Sequence, residues 1–531
     1  MRKLRIGIID LVSHSARPGL WSRVMNANFA SIMPQVIACW CEAEGHEVTL
    51  ICYTGFENLQ EELPQKPDLL FIGSFTESAQ LAYALSKMFQ SQGAITAIGG
   101  PHARCYPQDA QKYFDYVLGF TDKTVIQNVL QDCARHRPIG VQLSAARQPS
   151  SIPGVRERWK FVEATLCKAP VVKIIPMLGS LGCPYTCSFC IDAAVPYQPI
   201  ESDSIKEDLK FLLTKYRHPH VGWHDPNFGV RFNEMMDTIE EAVPEGRIDF
   251  IAESTLSVLS EPHVVRMKKN GFKALLPGIE SWYGMGEKSK TGNSVGMEKV
   301  RKVADQVAMI LRHVPYVQTN FVLGLDGDQG PEPFELTKKF LSMTPGAFPA
   351  FSLLTAFGQA AASNLEYQRA GRLLPFPFHL LNNNHAMNVR VKNYAWTDFY
   401  ARMIDLTRHA CSPGMIANRL RVNGVGIAGW LNVVRAMSSE GAGRIKFFRE
   451  VLHRLNHEPG FRAYFEQDST ELPSFYSDRI RHALGPFWNA LPEGALHHDP
   501  YAYLNSIESQ LRALPQVTED AGPQEAKSVA V

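Results

Sequence analysis

The sequence predicts an α/β protein built in three parts: a doubly wound, flavodoxin-like or Rossmann-like domain, a partial (β/α)6 TIM-like barrel, and a mostly helical C-terminal region. Three observations support this prediction. Short apolar strands alternate with helical patterns over residues 1–134, the alternation resumes over 173–359, and helical patterns alone continue over 360–515. At 531 residues the chain is also too long for a single hydrophobic core.

The first part contains five candidate strands, which predict a five-stranded parallel sheet covered by helices on both faces. The strands are LRIGIID, EVTLICY, DLLFIGSF, AITAIGG and DYVLGF. Because ligands bind such sheets at the carboxyl ends of strands, the segments GSFTES (73–78) and GGPHA (99–103) are the expected ligand loops. No G-x-G-x-x-G follows the first strand, which argues against a nicotinamide dinucleotide.

The second part is predicted to begin after an irregular, proline-containing linker, residues 135–172. Helical patterns near 203–216, 231–242, 261–270, 296–312 and 331–343 separate six candidate strands. These strands are KIIPML, HVGWHD, IDFIAES, KALLPGIES, YVQTNFVLGL and AFSLLTAF. Six such repeats predict an incomplete barrel with its chemistry at the C-terminal rim. The polar tail, 516–531, is predicted to be disordered.

Charge and hydropathy exclude several classes of partner. Lys+Arg 54 against Asp+Glu 53 leaves a net charge of +1, so the sequence shows no basic surface for nucleic acid. No apolar run reaches the roughly 18–20 residues that a membrane-spanning helix needs. The N-terminus lacks the apolar core of a signal peptide and is interpreted as a first strand. We therefore expect a cytoplasmic protein with no transmembrane segment.

Three of the 10 cysteines, Cys183, Cys187 and Cys190, form a C-x3-C-x2-C pattern after the first strand of the second part. Thiolates are ligands for zinc and for iron–sulfur clusters. A structural zinc site needs four ligands, and the nearest downstream histidines lie about 30 residues away. Three cysteines can instead hold three irons of a 4Fe–4S cluster and leave the fourth iron open. The other seven cysteines are scattered and are interpreted as small buried residues.

With an aromatic residue before its last cysteine, this motif resembles the hallmark of the radical S-adenosylmethionine (radical SAM) superfamily. The segments GWHDPNF (222–228), PGIES (277–281), EKSKTGNSVGMEKV and FVLGLDGDQGPE are similar to later motifs of that superfamily. The resemblance implies a 4Fe–4S cluster on the three cysteines, with S-adenosylmethionine on the open iron. It also implies a set of SAM-binding residues: Phe189, Asp225, Glu253, Glu280, Ser281 and Asn320. Alternatively, the glutamates are exposed loop residues, and Asp225 caps the helix that follows it.

The first part resembles the cobalamin-binding domain of one large radical SAM subgroup, through GHEVTL, PDLLFIGSFTES and AIGGPHA. The resemblance implies cobalamin-binding residues at two strand ends: Ser74, Thr76, Gly99, Gly100, Pro101 and His102. The alternative is a domain that serves only as a scaffold. Asp10 and His14 lack the D-x-H-x-x-G spacing, so a histidine ligand to cobalt is not expected. Departures from the superfamily pattern leave the substrate open; they are Asp326, Ala356, Gln359 and Ala360.

These resemblances imply a cobalamin-dependent radical SAM enzyme. The expected reaction is C-methylation of an unactivated carbon in a small-molecule or lipid-like biosynthetic intermediate, through a 5′-deoxyadenosyl radical, with an external electron donor such as flavodoxin or ferredoxin. One alternative is an enzyme of the same architecture that catalyses cyclisation, rearrangement or oxidation without methyl transfer. Another is a non-catalytic iron–sulfur scaffold or electron carrier, which is disfavoured because a carrier has no use for an open iron.

Overall fold

The computed structural model describes residues 2–133, 139–193, 195–424 and 426–503. Within these ranges the chain forms two six-stranded parallel sheets, followed by a mainly helical region. The predicted fold class is confirmed. The tail that was predicted to be disordered, 516–531, lies outside the described residues. None of the described helices combines the length and apolar character needed to cross a bilayer.

The first sheet has the strand order β2-β1-β3-β4-β5-β6, with all neighbours parallel. Its strands are β1 Arg5–Leu11, β2 Glu47–Tyr53, β3 Leu69–Ser74, β4 Ile95–Gly99, β5 Tyr116–Leu118 and β6 Val141–Leu143. Its helices are α1 Leu20–Met25, α2 Ile32–Ala43, α3 Leu59–Glu62, α4 Ala79–Ser91, α5 Pro101–Cys105, α6 Pro107–Ala110 and α7 Lys123–Asp132. Short 3-10 turns span Asn26–Phe29 and Thr76–Ser78.

The sheet has six strands, so the prediction of five was wrong. The sixth, β6, lies in the segment interpreted as a linker, and it pairs with β5 through Tyr116 and Val141. Two of its three residues are exposed, because it is an edge strand. A short, half-exposed strand has no apolar run for a sequence pattern to detect. The boundaries of the domains and of the linker stay predictions.

The second sheet has the order β7-β10-β11-β12-β13-β14, which is the predicted partial barrel. Its strands are β7 Ile174–Met177, β10 His220–Trp223, β11 Asp249–Thr255, β12 Phe272–Glu280, β13 Tyr316–Leu323 and β14 Phe348–Leu353. A small antiparallel pair, β8 Ser180–Leu181 and β9 Gln198–Pro199, brackets the cysteines. The associated helices are α8 Trp159–Cys167, α9 Ser202–Lys215, α10 Phe232–Ala242, α11 Glu261–Lys269, α12 Gly286–Ser289, α13 Gly296–Leu311 and α14 Glu332–Met343.

The C-terminal region consists mainly of helices. They are α15 Ser363–Arg369, α16 Trp396–Ala410, α17 Pro413–Asn423, α18 Ile427–Met437, α19 Ala442–His457, α20 Pro459–Glu466 and α21 Ser474–Leu484, with 3-10 turns at Phe378–Leu380 and Gly485–Ala490. Ala428 and Leu431 of α18 pack against a small apolar cluster inside the barrel. Arg435, also on α18, donates a 2.6 Å hydrogen bond to the Tyr316 hydroxyl of β13. Helix α18 is therefore fastened to β12, β13 and β14 of the second sheet.

The same C-terminal region also contacts the first sheet. The amide of Ala16 donates to the carbonyl of Ala483 at 2.8 Å. The Tyr503 hydroxyl donates to the Asp109 carboxylate at 2.9 Å. These contacts join the two ends of the sequence and hold the first sheet against the barrel.

Candidate functional site

A cavity of about 1040 Å³ lies between the carboxyl ends of the two sheets. One wall consists of loops that follow β1, β3, β4 and β5. The opposite wall consists of the cysteine loop (residues 182–197, between β8 and β9) and the ends of β10 and β11. We call this space the interdomain cavity. Its volume reaches the upper end of the range found for small-molecule sites, roughly 300–1,000 Å³, and so admits a bulky ligand.

Glycines shape the wall that belongs to the first sheet. Gly73, Gly99 and Gly119 stand at or just after the ends of three neighbouring strands, and all three line the cavity. Gly73 and Gly99 are direct partners in the sheet. Gly100 has a φ of +94°, and a Cβ there would lie 2.9 Å from the Ser74 carbonyl oxygen. Because these strand ends carry no side chains, the backbone itself faces the interdomain cavity there.

Four of the six predicted cobalamin-binding residues lie on this wall: Ser74, Gly99, Gly100 and Pro101. The other two, Thr76 and His102, are buried and do not line the cavity. The His102 ring lies 2.6 Å from the Tyr83 hydroxyl, and burial lowers the pKa of His102 to about 3. This histidine is therefore a neutral packing residue. We leave Thr76 and His102 out of the proposed cobalamin site.

Backbone geometry fixes the cysteine loop. Gly182 has a φ of +71°, and a Cβ there would lie 2.6 Å from the Val195 carbonyl oxygen and still closer to that of Pro196. The amide of Cys190 donates to the carbonyl of Cys187 at 2.9 Å. The loop therefore closes on itself only because residue 182 is glycine. This explains why the sequence places glycine directly before the first cysteine.

The three cysteines are free and half-buried. Burial raises the pKa of Cys183 above its usual value and raises the pKa of Cys190 to about 11. Among the described residues, no three His, Cys, Asp or Glu side chains converge on a single metal ion. A cluster does not require such convergence, since each thiolate binds a different iron. Three free thiols on one closed loop, with a cation beside them, fit a 4Fe–4S cluster.

Lys288 is that cation, and it is a residue that the sequence interpretation missed. Its ammonium group lies 3.1 Å from the Glu280 carboxylate in a mostly buried ion pair. Burial acts to lower the pKa of Lys288, but the neighbouring Glu280, Cys187 and Cys190 raise it above its ordinary value. The lysine therefore stays charged and lies between a predicted SAM-binding carboxylate and the predicted cluster ligands.

The position of Glu280 depends on the residues around it. Glu280 ends β12 with a φ of +63°, which is uncommon for a residue other than glycine. A bulge in the pairing of β12 with β13 lies just before it, and a side chain at Gly278 would meet its carboxylate. The sequence PGIES therefore encodes a strained strand end, in which the glycine leaves space for the carboxylate of Glu280.

Glu253 lines the interdomain cavity at the end of β11. Its side chain is exposed at that wall. Burial raises the pKa of Glu253, and the nearby carboxylates of Glu280 and Asp192 raise it further. Two carboxylates beside one lysine leave an excess of negative charge, which suits an ammonium group such as that of S-adenosylmethionine.

Asp225 also lines the cavity, and each of its oxygens accepts a hydrogen bond. They accept hydrogen bonds from the Gly179 amide at 2.9 Å and from the Ser180 hydroxyl at 2.6 Å. Burial raises the pKa of Asp225 to about 6, against these hydrogen bonds. These contacts fix β8, which leads into the cysteine loop, and a role of Asp225 in binding SAM stays a prediction.

Four of the predicted SAM-binding residues do not line the interdomain cavity; they are Phe189, Glu280, Ser281 and Asn320. Phe189 packs against the main apolar core. The Ser281 hydroxyl accepts a hydrogen bond from the Tyr283 amide at 3.1 Å, as in a turn. The Asn320 amide group donates to the Leu276 carbonyl at 3.3 Å, inside the barrel. Their role in binding stays a prediction.

One ion pair bridges the two walls. Arg104, which follows the GGPHA segment, lies 3.3 Å from the carboxylate of Asp192, just after the last cysteine. The amide of Asp192 in turn lies 3.4 Å from the sulfur of Cys190. Both Arg104 and Asp192 line the cavity. The first sheet is therefore tied directly to the cysteine loop, a contact between residues 88 positions apart that no local pattern reveals.

Comparisons with known proteins agree with this geometry. No protein-family model matches the chain. Bacteriochlorophyllide d C-12(1)-methyltransferase of Chlorobaculum tepidum is 24% identical over 296 residues, which are 55% of this chain and 64% of that protein. The match thus spans less than two thirds of that relative's length. The radical S-adenosylmethionine methyltransferase TsrM of Kitasatospora setae superposes with a TM-score of 0.51 and 14% identity, over 85% of this chain and 100% of TsrM. The cobalamin-dependent S-adenosylmethionine radical enzyme OxsB superposes with a TM-score of 0.52 and 11% identity, over 96% of this chain and 81% of OxsB.

The chain has the fold of the cobalamin-dependent radical SAM enzymes. This confirms the predicted resemblance and the architecture that it implied.

Within this radical SAM fold, the departures from the superfamily pattern have structural roles. Asp326 accepts two hydrogen bonds, each 2.8 Å long, from the Arg372 guanidinium. The backbone of Ala356 pairs with the Asn388 amide group at 2.8 and 2.9 Å. None of the four departing residues lines the interdomain cavity. Asp326 and Ala356 therefore take part in contacts within the fold.

Proposed function

We propose that this chain is a cobalamin-dependent radical SAM enzyme, and specifically a C-methyltransferase that acts on an unactivated carbon. The observation that carries the proposal is the interdomain cavity, which brings the cysteine loop opposite the glycine-lined edge of the first sheet. A non-catalytic carrier would need neither a cavity of about 1040 Å³ nor carboxylates at its wall. The chemistry would belong to the bound groups: the cluster and S-adenosylmethionine supply a carbon radical, and cobalamin supplies a methyl group.

The chain's own residues bind and orient these groups. Cys183, Cys187 and Cys190 would hold the cluster. Glu253 faces the cavity and would accept the ammonium group of S-adenosylmethionine, since its own charge is not neutralised by a direct ion pair among the described residues. Lys288 holds Glu280 at the strand end.

The protein also shields the site. The Arg104–Asp192 ion pair joins the two walls, and aromatic Trp223 lines the floor of the cavity. Enclosure protects a reactive carbon radical from side reactions with solvent. The substrate is proposed to be a small-molecule or lipid-like intermediate. The external electron donor is proposed to be of the flavodoxin or ferredoxin class, and the cytoplasmic location stays a prediction.

A second candidate is a reaction of the same cofactors without methyl transfer. The observation in its favour is the match to OxsB, which covers more of this chain than the match to TsrM and is described as a radical enzyme. The two candidates share the cluster, S-adenosylmethionine and cobalamin. They differ in whether one equivalent of S-adenosylmethionine becomes S-adenosylhomocysteine.

The test is anaerobic purification with corrinoid supplied, followed by reconstitution of the cluster. We expect about four irons per chain, retained corrinoid, and formation of both 5′-deoxyadenosine and S-adenosylhomocysteine. 5′-Deoxyadenosine without S-adenosylhomocysteine would favour the second candidate, and absence of corrinoid would remove cobalamin from the proposal.

The matched variants are Cys187→Ala and Cys167→Ala. Cys167 is an exposed cysteine in α8, away from the cysteine loop. We expect Cys187→Ala to lose the cluster absorbance and 5′-deoxyadenosine formation, while Cys167→Ala keeps both. If Cys187→Ala retained full iron content and cleavage activity, the assignment of the cluster would be wrong.

A further inference from the structure

Asp192 joins the cysteine loop to the first sheet through two contacts. Its backbone amide donates to the sulfur of Cys190, with 3.4 Å between nitrogen and sulfur. Its carboxylate accepts a hydrogen bond of 3.3 Å from the guanidinium of Arg104. Among the described residues, Arg104 is the basic group in ion-pair contact with this carboxylate. Asp192 thus places a hydrogen-bond donor and a carboxylate charge next to a predicted cluster ligand.

Arg104 is held in place on the side of the first sheet. Its guanidinium carbon lies 5.5 Å from the centre of the Phe120 ring, within the range of a cation–π contact. The carbonyl of the next residue, Cys105, accepts a hydrogen bond of 2.9 Å from the amide of Gln359, which follows β14. Helix α5 is therefore fastened to the barrel directly beside Arg104.

The cysteine loop, which carries Asp192, is anchored as well. The carbonyl of Ser188 accepts a hydrogen bond of 2.9 Å from the amide of Ser363, at the start of α15. The side chains of Arg104 and Asp192 are only 19% and 29% exposed, so solvent ions screen their charges incompletely. The pair is therefore a fixed contact whose charges act on their surroundings.

Hydrogen bonds to the sulfur ligands and the net charge around an iron–sulfur cluster both set its reduction potential. An amide that donates to the Cys190 sulfur favours uptake of an electron by a cluster bound there. A bare carboxylate at Asp192 would oppose that uptake, because it adds a negative charge beside the same sulfur. Arg104 supplies the positive charge that offsets this carboxylate.

We propose that Arg104 is a positioning residue for the cluster: it holds and neutralises the Asp192 carboxylate and thereby raises the reduction potential of a cluster bound to Cys190. This inference rests on the proposed function. The step that it favours is the transfer of one electron from the external donor to the cluster, in which no proton moves and no bond forms or breaks. The first domain thus makes the cluster of the second domain easier to reduce.

A redox titration of the cluster tests the proposal, with the reduced state followed by electron paramagnetic resonance. The full chain is purified anaerobically with corrinoid and reconstituted, and iron content is measured beside the potential. We expect Arg104→Met to make the midpoint potential more negative, by about 59 mV for about a tenfold smaller equilibrium constant of reduction. Asp192→Asn should shift the midpoint in the opposite direction. The double variant should return close to the natural midpoint, because it lacks both charges.

Arg17→Met is the matched control. Arg17 also lines the cavity from the first sheet, but its guanidinium lies 3.5 Å from a ring nitrogen of His482, in the C-terminal region. We expect the midpoint potential of Arg17→Met to equal that of the natural protein. An equal shift in Arg17→Met and Arg104→Met would overturn the proposal, since any cationic side chain on the wall would then have the same effect.

The double variant separates an effect of charge from a merely structural effect. A midpoint as negative in the double variant as in Arg104→Met, or no shift in Arg104→Met at normal iron content, would overturn the proposal. If Arg104→Met fails to fold, Asp192→Asn still gives a result, because an unshifted midpoint there would also contradict the proposed role of the pair. A natural protein that holds no cluster would instead refute the proposed function.

Discussion

Replacing Gly182 by alanine tests whether the closed cysteine loop is what allows a cluster to bind. Residue 182 has a φ of +71°, where an L-residue costs about 1–2 kcal/mol. The new Cβ would also lie 2.6 Å from the Val195 carbonyl oxygen and closer still to that of Pro196. Relief of such overlap by backbone movement costs about 1–3 kcal/mol more. We therefore expect a total local cost of about 3 kcal/mol, concentrated in the loop that carries the cysteines.

The assay is iron content and cluster absorbance after anaerobic reconstitution, measured beside thermal unfolding. Gly45→Ala is the matched control, because Gly45 has a φ of +85° but no atom within 4 Å of a new Cβ. We expect Gly45→Ala to lower stability by about 1 kcal/mol and to leave the iron content unchanged. Gly182→Ala should lose most of its iron. Equal iron content in the two variants would refute the argument from loop closure.

Three further variants probe two buried charges and the contact of α18 with the second sheet. Lys288→Gln breaks the buried ion pair with Glu280 and should lower the unfolding free energy by about 2 kcal/mol in chemical denaturation. Lys290→Gln, at an exposed position two residues later, should leave the unfolding free energy unchanged. Burial raises the pKa of Asp10 from 3.8 to about 7, so ionisation of this carboxyl opposes folding. The unfolding free energy of the natural protein should therefore fall by up to about 4 kcal/mol between pH 4 and pH 8. Asp10→Asn should lack this fall, and parallel pH profiles of the two proteins would contradict the prediction. Arg435→Leu removes hydrogen bonds between α18 and β13 and should increase proteolysis within α17 and α18. An unchanged digestion pattern would show that these bonds do not hold α18 in place.

Much of the fold follows from the sequence because its strands are buried on both faces. Such strands form continuous apolar runs, and β1 is an example, with six of its seven residues buried. The edge strand β6 has no such run and was missed. The cysteine motif is equally easy to detect, because the three predicted ligands lie within eight residues and the glycine that closes the loop directly precedes them.

The contacts that complete the site are not local, and this is why the sequence did not reveal them. Lys288 lies within the EKSKTG segment, but its role depends on its position beside Glu280 and the cysteines in the folded chain. His102 belongs to a plausible ligand segment, yet helix α5 turns its ring into the core. Arg104, two residues later, reaches the cavity instead. A loop pattern locates a site to within a few residues, and only packing decides which of them face the ligand.

The contacts between the first sheet and the C-terminal region have a consequence for the order of assembly. Ser15, Gln80 and Asp109 bond to residues 468, 415 and 394 positions downstream. On the ribosome, the first domain therefore emerges and folds long before the residues that fasten it. During that interval its glycine-lined edge faces solvent, and a bulky corrinoid can enter without any contact being broken. Cofactor content should therefore depend on corrinoid supply during translation more than on exposure of the finished protein to it.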